Sequence, residues 1–168
     1  SLSNFFDWNS GVKYKERDAF AKFATLTEQV KSHQHYELTV QHWFEKNNVS
    51  SHANQKHCFV PRAALTKFLV IQEGDDSRKS YKRLHRYRYS PTAAYGNNEV
   101  HIHPTEPRRI SAAEALAIQS LPKNFELPSD MTLTNMFKSI GNGVPFVAAK
   151  GIATAIYKTV EKLNSAKK

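Results

Sequence analysis

Residues 108–122 read RRISAAEALAIQSLP and contain clear signals for the start and the end of a helix. Ser111 and Glu114 have the spacing of a capping box, in which the serine hydroxyl accepts a backbone hydrogen bond from three residues on and the glutamate reaches back to the cap amide. Pro122 cannot continue a helix. The stretch therefore predicts a helix from Ser111 to about Gln119.

Two more helices are predicted after this one. A short helix is expected over residues 133–140, ending at Gly141, and a longer one over about residues 145–163. Pro145 suits a first helical turn, where its missing N–H costs nothing. The longer helix carries an apolar stripe at helical spacing, formed by Ala148, Ile152, Ala155, Ile156, Val160 and Leu163. Residues 107–168 are therefore predicted to form a helical tail.

Upstream of the tail the patterns are mixed. Helical periodicity is moderate over residues 18–30 and 36–46, while β-branched, aromatic or alternating runs predict short strands. The predicted strands cover residues 57–61, 67–72, 85–89 and 99–103. We therefore expect an α+β fold in which residues 1–106 form a small, irregular β-sheet domain with helices, followed by the helical tail.

The charge of the chain is strongly positive and unevenly distributed. There are 24 Lys and Arg against 15 Asp and Glu, a net charge of +9. Residues 77–98 contain no acidic residue and six basic ones, namely Arg78, Lys79, Lys82, Arg83, Arg86 and Arg88. Such a segment favours binding to a polyanion, because each neutralised phosphate releases counterions. The alternative is a solvated basic surface with no role in nucleic-acid binding.

Within this segment, residues 85–89 alternate between Arg and Tyr. In a strand, Arg86 and Arg88 lie on one face and Tyr87 and Tyr89 on the other. The arginine face would then meet phosphates or bases while the tyrosine face packs. An ordinary half-buried strand with a solvated arginine face is the competing interpretation.

Several classes of protein are excluded by composition. No apolar run approaches the ~18 residues of a membrane-spanning helix, so a membrane protein is not expected. A single cysteine, Cys58, excludes an internal disulfide framework and a multi-cysteine zinc site. His101 and His103 have a spacing that occurs in metal sites, but one strand face supplies only two ligands, so no metal is predicted. Without an initiating Met or a signal-like stretch, the chain is expected to be part of a longer polypeptide from a reducing compartment.

Two stretches of the tail resemble the last two sequence motifs of the cytosine-5 DNA methyltransferase family. The family pattern Arg-x-Leu-Thr-x-x-Glu, continuing to Gln-x-Phe-Pro, is matched in register by Arg108, Ile110, Ser111, Glu114, Gln119 and Pro122. The family's Ile-Gly-Asn-x-Val-Pro motif is matched by residues 140–145, IGNGVP. The match covers residues 108–149, and the variable residues 1–106 correspond in layout to the family's target-recognition region.

The resemblance implies that the intact enzyme methylates carbon 5 of a cytosine flipped out of duplex DNA, using S-adenosylmethionine. Gly141, Asn142 and Val144 match positions that close the cofactor pocket, and Gly143 departs from the Ser or Ala common there. Arg108 and Glu114 are expected to form an ion pair that braces the start of the tail. The expected DNA-binding residues are the six basic residues of 77–98 together with Thr92, Tyr95, Gly96 and Arg109.

Other family motifs are absent from the sequence. The family's catalytic Pro-Cys loop, its Glu-Asn-Val motif and its Gly-rich cofactor motif do not occur, and Cys58 follows His57 rather than a proline. No catalytic residue is therefore predicted in this chain, which should be inactive alone. We expect a carboxy-terminal fragment or small subunit of a cytoplasmic enzyme, prokaryotic or phage-encoded, that pairs with a catalytic portion in the same chain or another subunit.

Three further expectations remain open at this point. The apolar stripe of the last helix predicts self-association when the catalytic portion is absent. A stand-alone DNA- or RNA-binding module would account for the basic segment but not for the two tail motifs. A structural protein that binds a partner through the last helix would account for the stripe alone.

Overall fold

The structure, a computed structural model, describes residues 36–60, 65–93, 95 and 100–165. About half of the described residues are helical. The helices are α1 (Val40–Lys46), α2 (Leu65–Val70), α3 (Ala112–Ile118), α4 (Leu133–Asn142) and α5 (Phe146–Ser165), with short 3₁₀ helices at Tyr36–Leu38, Val49–Ser51 and Ala53–Lys56. The expectations for residues 1–35, among them the helix at 18–30, lie outside the described residues.

The predicted β-sheet domain is wrong for the part of the chain that the structure describes. Those residues form no strand, only isolated bridges that pair Ile102 with Arg83 and with Arg109. Three extended segments approach one another there, with Ile102 N donating to Lys82 O at 2.8 Å and Ile110 N donating to His101 O at 3.0 Å. The pairing continues for too few residues to make a ladder, so the described residues 100–103 of the predicted strand 99–103 supply a bridge and not a strand.

Residues 67–72 were predicted as a strand, but residues 65–70 form helix α2. Phe68 and Ile71 are buried, whereas Leu69 and Val70 between them are 63% and 67% exposed. Burial at positions three apart is the helical period, not the two-residue period of a strand. A short apolar run such as residues 68–71, FLVI, does not by itself distinguish a strand from a helix.

The alternating segment 85–89 is a turn that closes the start of α1. The carbonyls of Arg88 and Arg86 accept hydrogen bonds from Val40 N at 2.9 Å and Gln41 N at 2.8 Å. These amides belong to the first turn of α1, where no intrahelical acceptor exists. The predicted separation of arginine and tyrosine faces is therefore wrong, and of the two tyrosines Tyr87 is buried while Tyr89 is exposed. Residues 57–60 likewise form no strand.

The core lies around α3, whose residues from Ala112 to Ala117 are all buried. Their small side chains let the neighbouring helices come close, and α3 packs against both α1 and α4. Large side chains from those helices fill the remaining space, namely Val40 and Phe44 of α1 and Met136, Phe137 and Ile140 of α4. Each large apolar side chain buried in this way contributes about 1.5–3 kcal/mol.

The two ends of α3 are closed as its sequence predicts. Glu114 N donates to Ser111 Oγ at 3.1 Å and Ser111 N donates to Glu114 Oε2 at 2.7 Å, which confirms the capping box. At the other end, Ser120 adopts a φ of 56°, and Leu121 N donates to Leu116 O at 3.2 Å. This is a Schellman motif with a serine in the left-handed position that glycine usually occupies.

The predicted tail helices are confirmed, with boundaries shifted by one or two residues. Helix α4 extends to Asn142, so that Gly141 lies in its last turn. Helix α5 begins at Phe146, directly after Pro145, and none of its residues is buried. Its apolar stripe therefore packs against nothing within the described residues. No helix among them is long and apolar enough to cross a membrane.

Candidate functional site

An open cleft of about 340 Å³ lies where the end of α3, the α4–α5 turn, α1 and residues 89–93 meet. One wall contains Thr92, a predicted DNA-binding residue, and another contains Gly141 and Gly143, from the predicted cofactor motif. The remaining lining is mainly apolar, with Leu38, Val40 and Trp43 beside Ile118 and Pro145. Two sets of residues predicted for different functions thus line one cleft.

Gly141 brings the two walls of the cleft into contact. A Cβ atom at this position would lie 3.0 Å from Tyr95 N and 3.2 Å from Ala93 O. Real Cβ atoms rarely approach backbone atoms so closely. The close approach therefore favours glycine at residue 141, and it seats the end of α4 against the backbone of residues 93 and 95.

The turn between α4 and α5 is held from the end of α3. Gln119 Nε2 donates to Ile140 O at 3.0 Å, and the carbonyl of Gln119 accepts from Phe146 N at 3.0 Å. Ser120 Oγ accepts from Val147 N at 3.0 Å. Gln119 belongs to the first tail motif in the sequence, but that match did not indicate that it holds the turn between α4 and α5.

The predicted cofactor-binding residues differ in exposure. Gly141 is half-buried, Asn142 is exposed at the end of α4, and Val144 is 70% exposed. The amides of Phe146 and Val147, at the start of α5, already donate within the chain. The exposed carboxamide of Asn142 remains suited to the carboxylate and ammonium groups of an amino-acid ligand, since it can both donate and accept.

Arg108 and Glu114 form the ion pair expected from the sequence. The guanidinium donates to both carboxylate oxygens at 2.8 and 2.9 Å, and also to Glu106. Burial alone would raise the pKa of Glu114, but the hydrogen bonds and charge of Arg108 outweigh it and lower that pKa. Gln55 donates to the same carboxylate at 3.2 Å, so the pair also holds the 3₁₀ helix Ala53–Lys56.

Two of the predicted DNA-binding arginines are buried. Arg83 Nη1 donates to the carbonyls of His103 at 2.8 Å and Glu106 at 3.0 Å, and Arg83 Nη2 donates to Phe68 O. Arg109 Nη1 donates to Val100 O, and its guanidinium lies 5.3 Å from the centre of the Tyr81 ring. Both side chains hold the extended segments together, a role that the sequence did not reveal.

The other predicted DNA-binding residues lie nearer the surface. Arg78, Lys79 and Thr92 are exposed, while Lys82, Arg86 and Arg88 are half-buried. Tyr95 is buried, with its hydroxyl 3.5 Å from His101 Nδ1, and burial raises the pKa of its hydroxyl. Gly96 lies outside the described residues.

Glu73 was missed in the sequence because it precedes the basic segment. Its Oε1 accepts from Arg86 N at 2.7 Å and lies 3.4 Å from Arg86 Nε. Burial raises the pKa of Glu73 to about 7, although the backbone hydrogen bond and charge of Arg86 lower it in part. Lys67 was also missed, because a strand was predicted where α2 presents it over the ring of Tyr81 at 5.7 Å.

No group of three His, Cys, Asp or Glu side chains that could hold a metal ion occurs among the described residues. Burial lowers the pKa of His101 to about 4, helped by the charges of Lys82 and Arg109. Cys58 is half-buried.

The capped helix α3 and the glycine turn after α4 contain the residues that match the two tail motifs of DNA methyltransferases. The chain belongs to the C-5 cytosine-specific DNA methylase family, whose sequence model matches residues 6–158. Members of this family methylate DNA with S-adenosylmethionine as the methyl donor. The resemblance seen in the tail motifs is thereby confirmed.

Among the chain's relatives are three methyltransferases of type II systems. It is 61% identical over 162 residues to type II methyltransferase M.NmeDI of Neisseria meningitidis serogroup C, covering 93% of this chain and 38% of that protein. It is 46% identical over 61 residues to putative type II methyltransferase M.OihORF3336P of Oceanobacillus iheyensis, covering 36% and 13%. It is 26% identical over 111 residues to type II methylase M.HgiDII of Herpetosiphon aurantiacus, covering 62% and 31%.

The chain thus spans less than two fifths of the length of each of these relatives. No solved structure matches it.

Proposed function

We propose that this chain supplies the target-recognition region and the cofactor-closing turn of a DNA (cytosine-5) methyltransferase. Residues 1–106 recognise duplex DNA, and residues 107–168 carry the last two motifs. The observation that carries this proposal is the cleft that Thr92 lines together with Gly141 and Gly143, in a chain matched by the family over most of its length.

The exposed and half-buried cations support the DNA-binding part of the proposal. Phosphate contacts are assigned to Arg78, Lys79, Lys82, Arg86 and Arg88, whose side chains reach the surface to different degrees. Thr92, Tyr95 and Gly96 belong to the recognition loop beside them. Arg83 and Arg109 act indirectly, because their guanidinium groups hold the carbonyls of the extended segments. The recognition surface is therefore narrower than the charge of the sequence suggests.

The exposed end of α4 supports the cofactor-binding part. When bound, S-adenosylmethionine supplies the methyl group that is transferred to cytosine. Asn142 binds the amino-acid end of the cofactor through its carboxamide, and Gly141 and Val144 shape the edge of the pocket. The exposure of Asn142 and Val144 in this chain suits residues that complete a pocket built largely by another part of the enzyme.

The catalytic cysteine lies in a portion outside this chain, in the same polypeptide or in another subunit. The chain contains one cysteine, Cys58, which lacks the preceding proline of the family's catalytic loop. The exposed apolar face of α5 suits a docking contact with that portion and, in its absence, self-association of the chain. The complete enzyme belongs to a prokaryotic cytoplasm, where its DNA substrate lies.

A chimera tests the proposal directly. The segment of the Neisseria methyltransferase that this chain matches is replaced by this chain, and transfer of labelled methyl groups from S-adenosylmethionine to mixed-sequence DNA is measured. We expect activity from the chimera and none from the chain alone. A chimera that folds and binds DNA but transfers no methyl group would contradict the proposal and favour a stand-alone nucleic-acid-binding module.

A further inference from the structure

We propose that Gln119 is the positioning residue of the cofactor-closing turn, which it fixes at both ends by hydrogen bonds from the end of α3. This inference rests on the proposed function of residues 141–144. It assigns a specific role to a buried amide whose side-chain hydrogen bond goes to the end of α4. Helices α3, α4 and α5 meet at Gln119.

The first bond holds the end of α4. Gln119 is only 6% exposed, and its Nε2 donates to Ile140 O at 3.0 Å. The same carbonyl accepts from Gly143 N at 3.1 Å. Carbonyls in the last turn of a helix lack their usual partner four residues on, and at Ile140 the side chain of Gln119 adds a second donor to the amide of Gly143.

The second bond holds the start of α5. The backbone carbonyl of Gln119 accepts from Phe146 N at 3.0 Å, and its own amide donates to Ala115 O in α3. Gln119 therefore forms hydrogen bonds with residues of three helices, α3, α4 and α5. Residues 141–145 connect two anchor points that both belong to Gln119, which restricts how the turn can move.

The position of the turn matters because it forms part of the cleft. Gln119, Gly141 and Gly143 all line this cleft, and Gly141 contacts the backbone at residues 93 and 95. Contacts with a polar ligand depend strongly on geometry, and a displacement of about 1 Å is enough to weaken them. Loss of the Gln119 side-chain bond therefore displaces Asn142 from its ligand without touching any DNA contact.

Asn47 provides a matched control. Its side chain is 7% exposed, and its Nδ2 donates to Leu121 O at 2.9 Å. Like Gln119 it is a buried amide that donates to a backbone carbonyl across the core. Its side-chain hydrogen bond, however, goes to the segment after α3 and not to residues 141–145.

The test uses the active chimera carrying Gln119→Met, which keeps the length of the side chain and removes its donor. We expect KM for S-adenosylmethionine to rise about five- to tenfold, the loss of one hydrogen bond, while KM for DNA changes less than about twofold. The variant Asn47→Leu should lower Tm to a similar degree and leave both KM values unchanged. Equal effects of the two variants on KM for the cofactor, or no effect of Gln119→Met, overturn the proposal.

A second pair of variants probes the other anchor if Gln119→Met fails to fold. Phe146→Pro removes the amide that donates to Gln119 O at a helical position where proline is tolerated. Phe146→Ala removes the ring and keeps the amide. We expect Phe146→Pro to raise KM for S-adenosylmethionine above that of Phe146→Ala, and equal values overturn the proposal.

The proposed function and the role of Gln119 fail in different ways. A parent chimera without methyl transfer contradicts the proposed function. The anchoring is then judged in the isolated chain by hydrogen exchange, where Gln119→Met should speed exchange at Gly143 and Phe146 about tenfold relative to Asn47→Leu. Unchanged exchange at both amides overturns the role of Gln119.

Discussion

Arg108 holds Glu114 with both terminal nitrogens of its guanidinium, Nη1 to Oε2 at 2.9 Å and Nη2 to Oε1 at 2.8 Å. Glu114 is only 1% exposed, and the same carboxylate accepts the Ser111 amide that begins α3. A buried carboxylate with these partners remains ionised, and its pKa lies below the ordinary value because of Arg108 and despite burial. The start of the central helix therefore depends on a charge.

Replacing Glu114 by Gln should cost about 3 kcal/mol at pH 7, because it leaves Arg108 partly uncompensated in a half-buried site. In the wild type this contribution is fully present above the unfolded carboxyl pKa of about 4.3 and disappears as the pH falls through the lower folded pKa. Urea unfolding at pH 7, 5 and 3 should therefore show a difference that shrinks below about pH 4. The control Glu106→Gln, at a largely exposed partner of Arg108, should cost less than about 1 kcal/mol. Equal losses in the two variants would mean that burial of the pair has no effect.

Glu73 should show the opposite dependence on pH. Its folded pKa, about 7, lies above the unfolded value, so the wild type loses stability as the pH rises from about 4.3 to 7. Glu73→Gln keeps an oxygen that can accept from Arg86 N and cannot ionise. We expect the variant to match the wild type near pH 4 and to be more stable at pH 8, by about 1–3 kcal/mol in thermal unfolding. A less stable variant at pH 8 would show that the charge pair with Arg86 outweighs burial.

Gly141→Ala should destabilise the folded core by about 1–3 kcal/mol. The new Cβ would lie 3.0 Å from Tyr95 N, so either α4 or the backbone at residues 93 and 95 must move. The Tm measured by loss of near-ultraviolet circular dichroism checks this. Gly151→Ala is the control, since nothing lies within 4 Å of its Cβ position. That variant should raise helix content slightly, by the ~1 kcal/mol difference in helix propensity. A neutral Gly141→Ala would show that the two walls of the cleft separate easily.

DNA binding by the chain should be weak, on the order of micromolar, and should fall steeply with salt. Arg78→Ala with Lys79→Ala should lower affinity for all sequences alike and reduce the salt slope by about two phosphate contacts, without a change in stability. Arg86→Ala with Arg88→Ala should also weaken binding. Fluorescence anisotropy at several KCl concentrations measures both pairs. Unchanged binding in both double variants would place the recognition surface elsewhere.

Arg83→Met serves as the control for these DNA-binding variants. Arg83 donates to carbonyls of His103, Pro104 and Glu106, so its loss leaves buried acceptors without a donor. Its main effect should be a lower Tm. A selective loss of DNA binding at full stability would instead mean that Arg83 leaves its buried position to reach DNA.

Ile152 and Ile156 are 62% and 60% exposed on α5, and replacing both with Ser should abolish self-association of the isolated chain. Because no residue of α5 is buried, the core around α3 should keep its Tm. Sedimentation velocity over a range of concentrations measures the association. Thr154→Ser with Lys158→Gln, on the opposite side of the helix, should leave it unchanged. A wild-type chain that is monomeric throughout, or a double isoleucine variant that unfolds, would contradict this prediction.

The helical tail could be predicted from the sequence because its signals are local. The capping box at Ser111 and Glu114 and the proline at residue 145 act within one helical turn, and both helices begin where these residues indicate. The ion pair between Arg108 and Glu114 spans six residues and was accessible for the same reason. These features depend on residues close together in the sequence, so they can be predicted without knowledge of long-range contacts.

The structure of the described residues before the tail could not be predicted in the same way, because contacts between residues far apart in the sequence decide it. The run at residues 68–71 fits a strand or a helix, and only its packing in the small cluster with Ile102 selects the helix. The alternating segment 85–89 is not paired in a sheet, because the carbonyls of Arg86 and Arg88 accept hydrogen bonds from the first amides of α1. The burial of Arg83 depends on carbonyls some twenty residues away, which charge in the sequence does not reveal.

The attachment of α5 has a mechanical consequence. A helix of 20 residues is about 30 Å long, and this one is held to the rest of the described chain near its first turn, at Gln119 and Ser120. A rotation of about 10° at that attachment moves the far end by about 5 Å, since displacement grows with distance from the pivot. Small changes at Gln119 and Ser120, directly after α3, therefore determine the position of the far end of α5 and of its exposed apolar face.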